Sequence, residues 1–178
     1  MNALFIGRFQ PFHKGHLEVI KKAVKENDRL FIGIGSSEAN FRPANPFTCS
    51  ERFQMIEAAL TEAKIPREKY EIVTVRNIDN FALWVQHLAL YIPPFEKVYT
   101  GSDTVKHLFK EHNLISKKPY VIIDVNSIKK AVKISGTQIR RLMLKNGKWE
   151  ELVPPGVSKL IKKWRGLERL KNIRDEEK

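Results

Sequence analysis

Five short apolar runs recur along the chain, Ala3 to Ile6, Leu30 to Ile34, Glu71 to Val75, Lys97 to Thr100 and Tyr120 to Ile123, with longer segments between them. Each run is strand-sized. The intervening segments repeat apolar residues at helical spacing: Leu17, Ile20 and Val24 in one, Ile56, Ala59, Leu60 and Ala63 in the next. A strand, a helix and a further strand in one sheet require a crossover, which makes the strands parallel and lays the helices on the faces of the sheet. The expected fold class is therefore α/β, with βαβ units around a five-stranded parallel sheet.

Helix starts can be read from their caps. Thr48 and Glu51 have capping-box spacing, as do Ser135 and Gln138, and Ser102 before Asp103 predicts an N-cap for a helix through Phe109. A last helix is expected over Gly156 to Trp164, followed by a polar tail from Arg165 that frays or packs on a partner. At 178 residues, 42% of them hydrophobic and 29% charged, the chain suits one soluble domain, expected at 1–165 with the tail at 166–178. No apolar run approaches the ~20 residues that cross a bilayer. A single cysteine, Cys49, excludes an internal disulfide, and no leader-like segment opens the chain, so a cytoplasmic location is expected.

The formal net charge of +12 asks for an anionic partner. From Val125 to Trp149 there is no acidic residue, while Lys129, Lys130, Lys133, Arg140, Arg141, Lys145 and Lys148 are all basic. A local anion site is expected there.

After the first strand the chain reads GRFQPFHKGH, from Gly7 to His16. Gly7 suits a sharp exit, Pro11 stiffens the loop, and Gly15 permits close backbone approach at the helix start. His13 and His16, three apart on a loop entering a helix, can both address an anion held at the helix N-terminus, with the charge of Arg8 beside them. This loop is expected to contribute little to the core. Zinc is excluded by the absence of a second ligand pair, since His87, His107 and His112 are scattered. No Gly-x-x-x-x-Gly-Lys-Ser/Thr loop is present, and Gly33-Ile34-Gly35 meets Glu38 where a dinucleotide fingerprint needs glycine.

A second phosphate-type segment reads ISGTQIRR, from Ile134 to Arg141. Ser135, Gly136 and Thr137 at a capped helix start can donate to phosphate oxygens, and Arg140, one turn in, can clamp a leaving pyrophosphate.

Together these two segments resemble the HxGH-type nucleotidylyltransferases. NPFTCSER with ALWV narrows the resemblance to the archaeal-type nicotinamide mononucleotide (NMN) adenylyltransferases, over roughly residues 3 to 170. The resemblance implies a Rossmann-like three-layer fold with C-terminal helices, and transfer of AMP from ATP to NMN to form NAD and pyrophosphate, with Mg2+ carried by ATP. It implies catalytic roles for His13, His16, Arg8 and Arg140. ATP binding would fall to these residues with Gly7, Phe9, Gly15, Gly101, Ser135, Gly136 and Thr137, and acceptor binding to Arg52, Phe81 and Trp84, in a homo-oligomer without a protein-bound metal. Ser37-Glu38, Phe81 and Ser102 depart from the family pattern, all on the acceptor side. Nicotinate mononucleotide, FMN or phosphopantetheine therefore stay open as acceptors and CTP as donor. Outside this class stands a basic nucleic-acid binder on a dead nucleotide fold.

Overall fold

A computed structural model describes residues 1–128 and 134–176. Lys129, Lys130 and Lys133, in the basic stretch from Val125 to Lys133, lie outside the described residues. The chain divides into two compact units interleaved in sequence. One holds Met1–Gly7, Val19–Ser36 and 66–128; the other holds Arg8–Glu18, Ser37–Ile65 and 134–176.

The first unit is built on a five-stranded sheet of β1 (Ala3–Gly7), β2 (Leu30–Ile34), β3 (Tyr70–Thr74), β4 (Lys97–Thr100) and β5 (Val121–Asp124). Their bounds match the apolar runs to within a residue. All pairs are parallel, in the order β3-β2-β1-β4-β5, with Ala3 opposite Leu30 on one side and Lys97 on the other. Strand order reverses between β1 and β4, whose C-terminal ends at Gly7 and Thr100 therefore flank the topological switch point where such sheets take ligands.

Alternation along the strands sorts side chains to two faces. Leu4, Ile6, Phe31 and Val98 share one core with residues of α3 (Trp84–Leu88) and α4 (Asp103–Ile115), among them Trp84 and Phe109. Tyr99 points the other way. Its hydroxyl donates to Glu26 at the end of α1 (Lys14–Glu26), at 3.0 Å, and accepts from Asn27 at 3.1 Å. Val19, Ile20, Ala23 and Val24 bury the matching face of α1. The unit is thus helix, sheet, helix. Ser102 caps α4 as its sequence predicts, although the helix runs six residues beyond Phe109.

The second unit contains α2 (Cys49–Glu62), α5 (Gly136–Leu144), α6 (Pro155–Lys163) and α7 (Gly166–Glu176). The capping box opening α2 is complete: Thr48 Oγ1 accepts from Glu51 N and a Glu51 carboxylate oxygen accepts from Thr48 N. At the α2–α6 contact a Cβ on Gly156 would lie only 3.3 Å from that of Ala58. The segment expected as a polar tail is instead helix α7, which buries Leu170 and Ile173. It is fastened by Arg169, which forms two hydrogen bonds to the Glu51 carboxylate at 2.6 and 2.8 Å and covers the ring of Phe41 at 4.9 Å. Among the described residues no helix is long and apolar enough to cross a membrane.

Candidate active site

The loop after β1 gets its shape from an aromatic residue. No glycine of the described chain has a positive φ, whereas Phe9 sits at φ 52°, a left-handed conformation costly for a bulky side chain. Burial holds it there: Phe9 is 1% exposed and Phe12 is fully buried. Both rings close on the imidazole of His16, at 4.8 and 5.4 Å between centroids. The expectation that Gly7 carries the sharp exit and that the loop stays out of the core is thereby corrected; the loop is a small aromatic core of its own.

His13 and His16 together form a capping box made of two imidazoles. His16 N donates to His13 Nδ1 at 3.3 Å and His13 N donates to His16 Nδ1 at 3.2 Å, the same reciprocal pairing that Thr48 and Glu51 make. The three-residue spacing follows from that geometry. A backbone N–H can pair only with an unprotonated Nδ1, so the neutral ring of each histidine carries its proton on Nε2. The rings stack at 3.5 Å between centroids and 18° between planes, which brings the two Nε2–H groups alongside one another.

Burial lowers the His13 pKa from 6.5 to about 4. His16 is pushed well below 6.5, first by burial and then by the charge of His13. Both are therefore neutral donors at pH 7. Because the folded value lies below the unfolded one, the unfolded chain binds more protons between pH 6.5 and about 4. The stability that the neutral pair confers is fully present above 6.5 and is lost as pH falls through this window. For His13 alone the loss is at most about 2 kcal/mol by pH 5. Thermal unfolding of the ligand-free protein at pH 7 and pH 5 measures it, and His13→Asn is expected to flatten the difference.

Arg140 stands one turn into α5, where Nη1 donates to the Gln10 carbonyl at 2.7 Å and Nη2 to Thr137 Oγ1 at 3.3 Å. Burial, followed by the charge of Arg8, lowers its pKa. Arg8 is exposed, and no ion pair joins either guanidinium to a carboxylate among the described residues. Two like charges near each other without an acid are the electrostatic form of an anion site. Ser135 caps α5 by accepting from Gln138 N at 3.1 Å. At Gly136 the space of a Cβ is taken by protein: it would lie 2.6 Å from the Gln10 carbonyl oxygen. Gly15 is the second residue of α1.

Arg52 is fully buried. Its guanidinium donates to the carbonyls of Thr48, Arg8, Ser37 and Ala39 at 3.0 to 3.5 Å, and burial is the first cause that lowers its pKa. It thus holds together the backbone of three segments of this unit, including the start of the histidine loop.

The remaining expected residues lie in the first unit. Gly7 ends β1. Gly101 follows β4, and a Cβ there would stand 2.9 Å from Val125 Cγ2, so the turn after β5 fills its space. Trp84 is 7% exposed in the core, edge-on to Phe109 at 6.3 Å, and its Nε1–H donates to Asn77 Oδ1 at 3.2 Å. Phe81 is 55% exposed at the start of a 3-10 turn. Gln10, absent from the residues singled out by sequence, pairs by its side chain with both backbone groups of Phe47. Its amide gives no periodic or charge signal; only its place inside GRFQPFHKGH could have drawn attention to it.

Among the described residues no group of three or more His, Cys, Asp or Glu is placed to hold a metal ion.

The family model described as cytidylyltransferase-like matches residues 4–142. The nicotinamide-nucleotide adenylyltransferase of Methanococcus vannielii is 42% identical, over 97% of this chain and 95% of its own. That of Thermococcus sibiricus is 40% identical, over 97% and 89%. Among solved structures, a bifunctional NMN adenylyltransferase/ADP ribose pyrophosphatase of Francisella tularensis, complexed with AMP and an Mn ion, superposes with a TM-score of 0.73 at 24% identity. The superposition covers 97% of this chain and 51% of that one, so this chain spans about half its length. With its doubly wound sheet, its histidine capping box and relatives matched over nearly their whole length, the chain belongs to the cytidylyltransferase-like family, among its nicotinamide-nucleotide adenylyltransferases.

Proposed function

We propose that the protein transfers AMP from ATP to nicotinamide mononucleotide, forming NAD and pyrophosphate. The observation that carries this reading is the reciprocal capping of His13 and His16, which fixes two neutral Nε2–H donors next to each other. The names of the full-length relatives support the same reaction.

The acceptor phosphate is ionised at pH 7, so it attacks the α-phosphorus of ATP without a general base. The new bond is from acceptor oxygen to Pα, and the bond that breaks joins Pα to the oxygen bridging to Pβ, whose electron pair leaves with pyrophosphate. His13 and His16 donate Nε2–H to oxygens of the phosphoryl group on which charge grows, and neither ring changes protonation. Arg8 and Arg140 take the charge of the leaving pyrophosphate. Arg52 serves the site through the backbone that it ties, and thereby the acceptor side through Ser37 and Ala39. A divalent ion, magnesium, arrives on the triphosphate in this reading; when bound it supplies further neutralisation of phosphate charge. A cytoplasmic location and self-association belong to the same proposal.

Phe81 and Trp84 take the acceptor ring in this reading. Trp84→Ala would open a cavity in the core, so Trp84→Phe is the informative variant. It is expected to raise the KM for nicotinamide mononucleotide by about two- to tenfold, the range of a lost aromatic contact, and to leave that for ATP alone. An unchanged acceptor KM would assign Trp84 to the core only. The function itself is tested by pyrophosphate release from ATP or CTP with magnesium and a panel of acceptors. Turnover with nicotinate mononucleotide, FMN or phosphopantetheine but not with nicotinamide mononucleotide would replace the acceptor named here.

A further inference from the structure

We propose that Gln10 is a positioning residue that sets the separation of the histidine pair from Arg140, a role that rests on the phosphoryl-transfer reading above. Its side chain is 3% exposed and uses both ends of its amide on one residue: Nε2 donates to Phe47 O at 2.8 Å and Oε1 accepts from Phe47 N at 3.0 Å. Phe47 is thereby paired as by a neighbouring strand. The backbone of Gln10 is held from the other side. Its carbonyl accepts from Arg140 Nη1 at 2.7 Å and seats so closely on α5 that only glycine fits at position 136. One residue thus joins the histidine loop, the strip before α2 and the first turn of α5.

The anchor is itself immobilised. Pro46 O accepts from Arg169 at 3.3 Å, Thr48 N donates to Glu51 at 2.9 Å, and Thr48 O accepts from Arg52 Nε at 3.3 Å, so side chains hold the strip on both sides of Phe47. His13 lies three residues beyond Gln10, and the side chain that Gln10 orients is that of Arg140. Donors to a transition state must be placed to about 0.5 Å, and a misplacement of about 1 Å costs up to a hundredfold in rate. Glutamine suits the task because Phe47 offers one donor and one acceptor; a carboxylate would set an acceptor against the Phe47 carbonyl.

Gln10→Met, which keeps length and loses both hydrogen bonds, is expected to lower kcat by at least about tenfold at a temperature where the variant is folded, with the acceptor KM within about twofold. Gly136→Ala pushes from α5 on both partners of the Gln10–Arg140 bond, its Cβ falling 2.6 Å from the Gln10 carbonyl oxygen and 3.1 Å from Arg140 Nη1, and is expected to give the same split. In an Arg140→Ala background Gln10→Met should add less than about a twofold loss, since the two act as one unit. An unchanged kcat in folded Gln10→Met, or full additivity with Arg140→Ala, overturns the inference. If Gln10→Met does not fold, Gln10→Glu, which keeps the acceptor for Phe47 N and loses the donor to Phe47 O, decides in the same way. Absence of pyrophosphate release by the unaltered protein with every acceptor would sink the transfer reading alone. The inference is then read from calorimetric binding of inorganic pyrophosphate, expected to weaken about fivefold or more in either variant; equal affinity would overturn it.

Discussion

His16→Asn is expected to lower kcat by about two to three orders of magnitude while the protein keeps its fold. The asparagine carbonyl reaches the position of Nδ1 and can accept from His13 N, so the helix start stays capped, but nothing replaces Nε2–H. His16→Ala is a poorer experiment, because His16 packs against Phe9, Phe12 and His13 and its truncation empties part of a buried ring cluster. Single-turnover rates, set beside melting temperatures, separate the two effects. A loss of activity in His16→Asn no larger than its loss of folded protein would remove the histidine from the chemistry.

Arg8→Gln should separate stability from activity in the opposite sense. Burial first, and the charge of Arg8 after it, lower the pKa of Arg140, so the ligand-free protein bears repulsion between these two guanidiniums, neither of which forms an ion pair with a carboxylate among the described residues. Removing the exposed Arg8 charge relieves it, and the Arg8 carbonyl remains held by Arg52 at 3.0 Å. The melting temperature is expected to stay level or rise. Loss of a charge-assisted contact to the triphosphate is expected to lower kcat/KM for ATP by about a hundredfold. Such a variant, more stable and less active, is the signature of charge held ready for an anionic ligand. A drop in melting temperature with kcat/KM intact would make Arg8 a structural residue.

Much of this was legible in the chain. Strand bounds came from apolar runs, and the Thr48, Ser102 and Ser135 caps came from spacing, because both are local consequences of backbone geometry. The histidine spacing was visible too, but its physical cause was not: only in the folded loop do the rings cap each other and so fix their protons on Nε2. What escaped is long-range. Helix α7 looks like a polar tail because its attachment is an ion pair, Arg169 with Glu51, across 118 residues of sequence. Arg52 is expected from the resemblance as an acceptor contact, and nothing in its sequence foretells the backbone carbonyls gathered around it from three segments. The left-handed turn falls on Phe9, where buried packing overrides the preference that favours Gly7. Gln10 has no sequence signature beyond its motif, and its weight comes from contacts 37 and 130 residues away.

ATP labelled in its α-phosphate, supplied with nicotinamide mononucleotide and magnesium, tests the transfer step directly. Direct attack at Pα, with His13 and His16 as donors that never bond to phosphorus, requires all transferred label to appear in the dinucleotide, one for each pyrophosphate released. Label in pyrophosphate, label trapped on the protein, or pyrophosphate release without labelled NAD would contradict it.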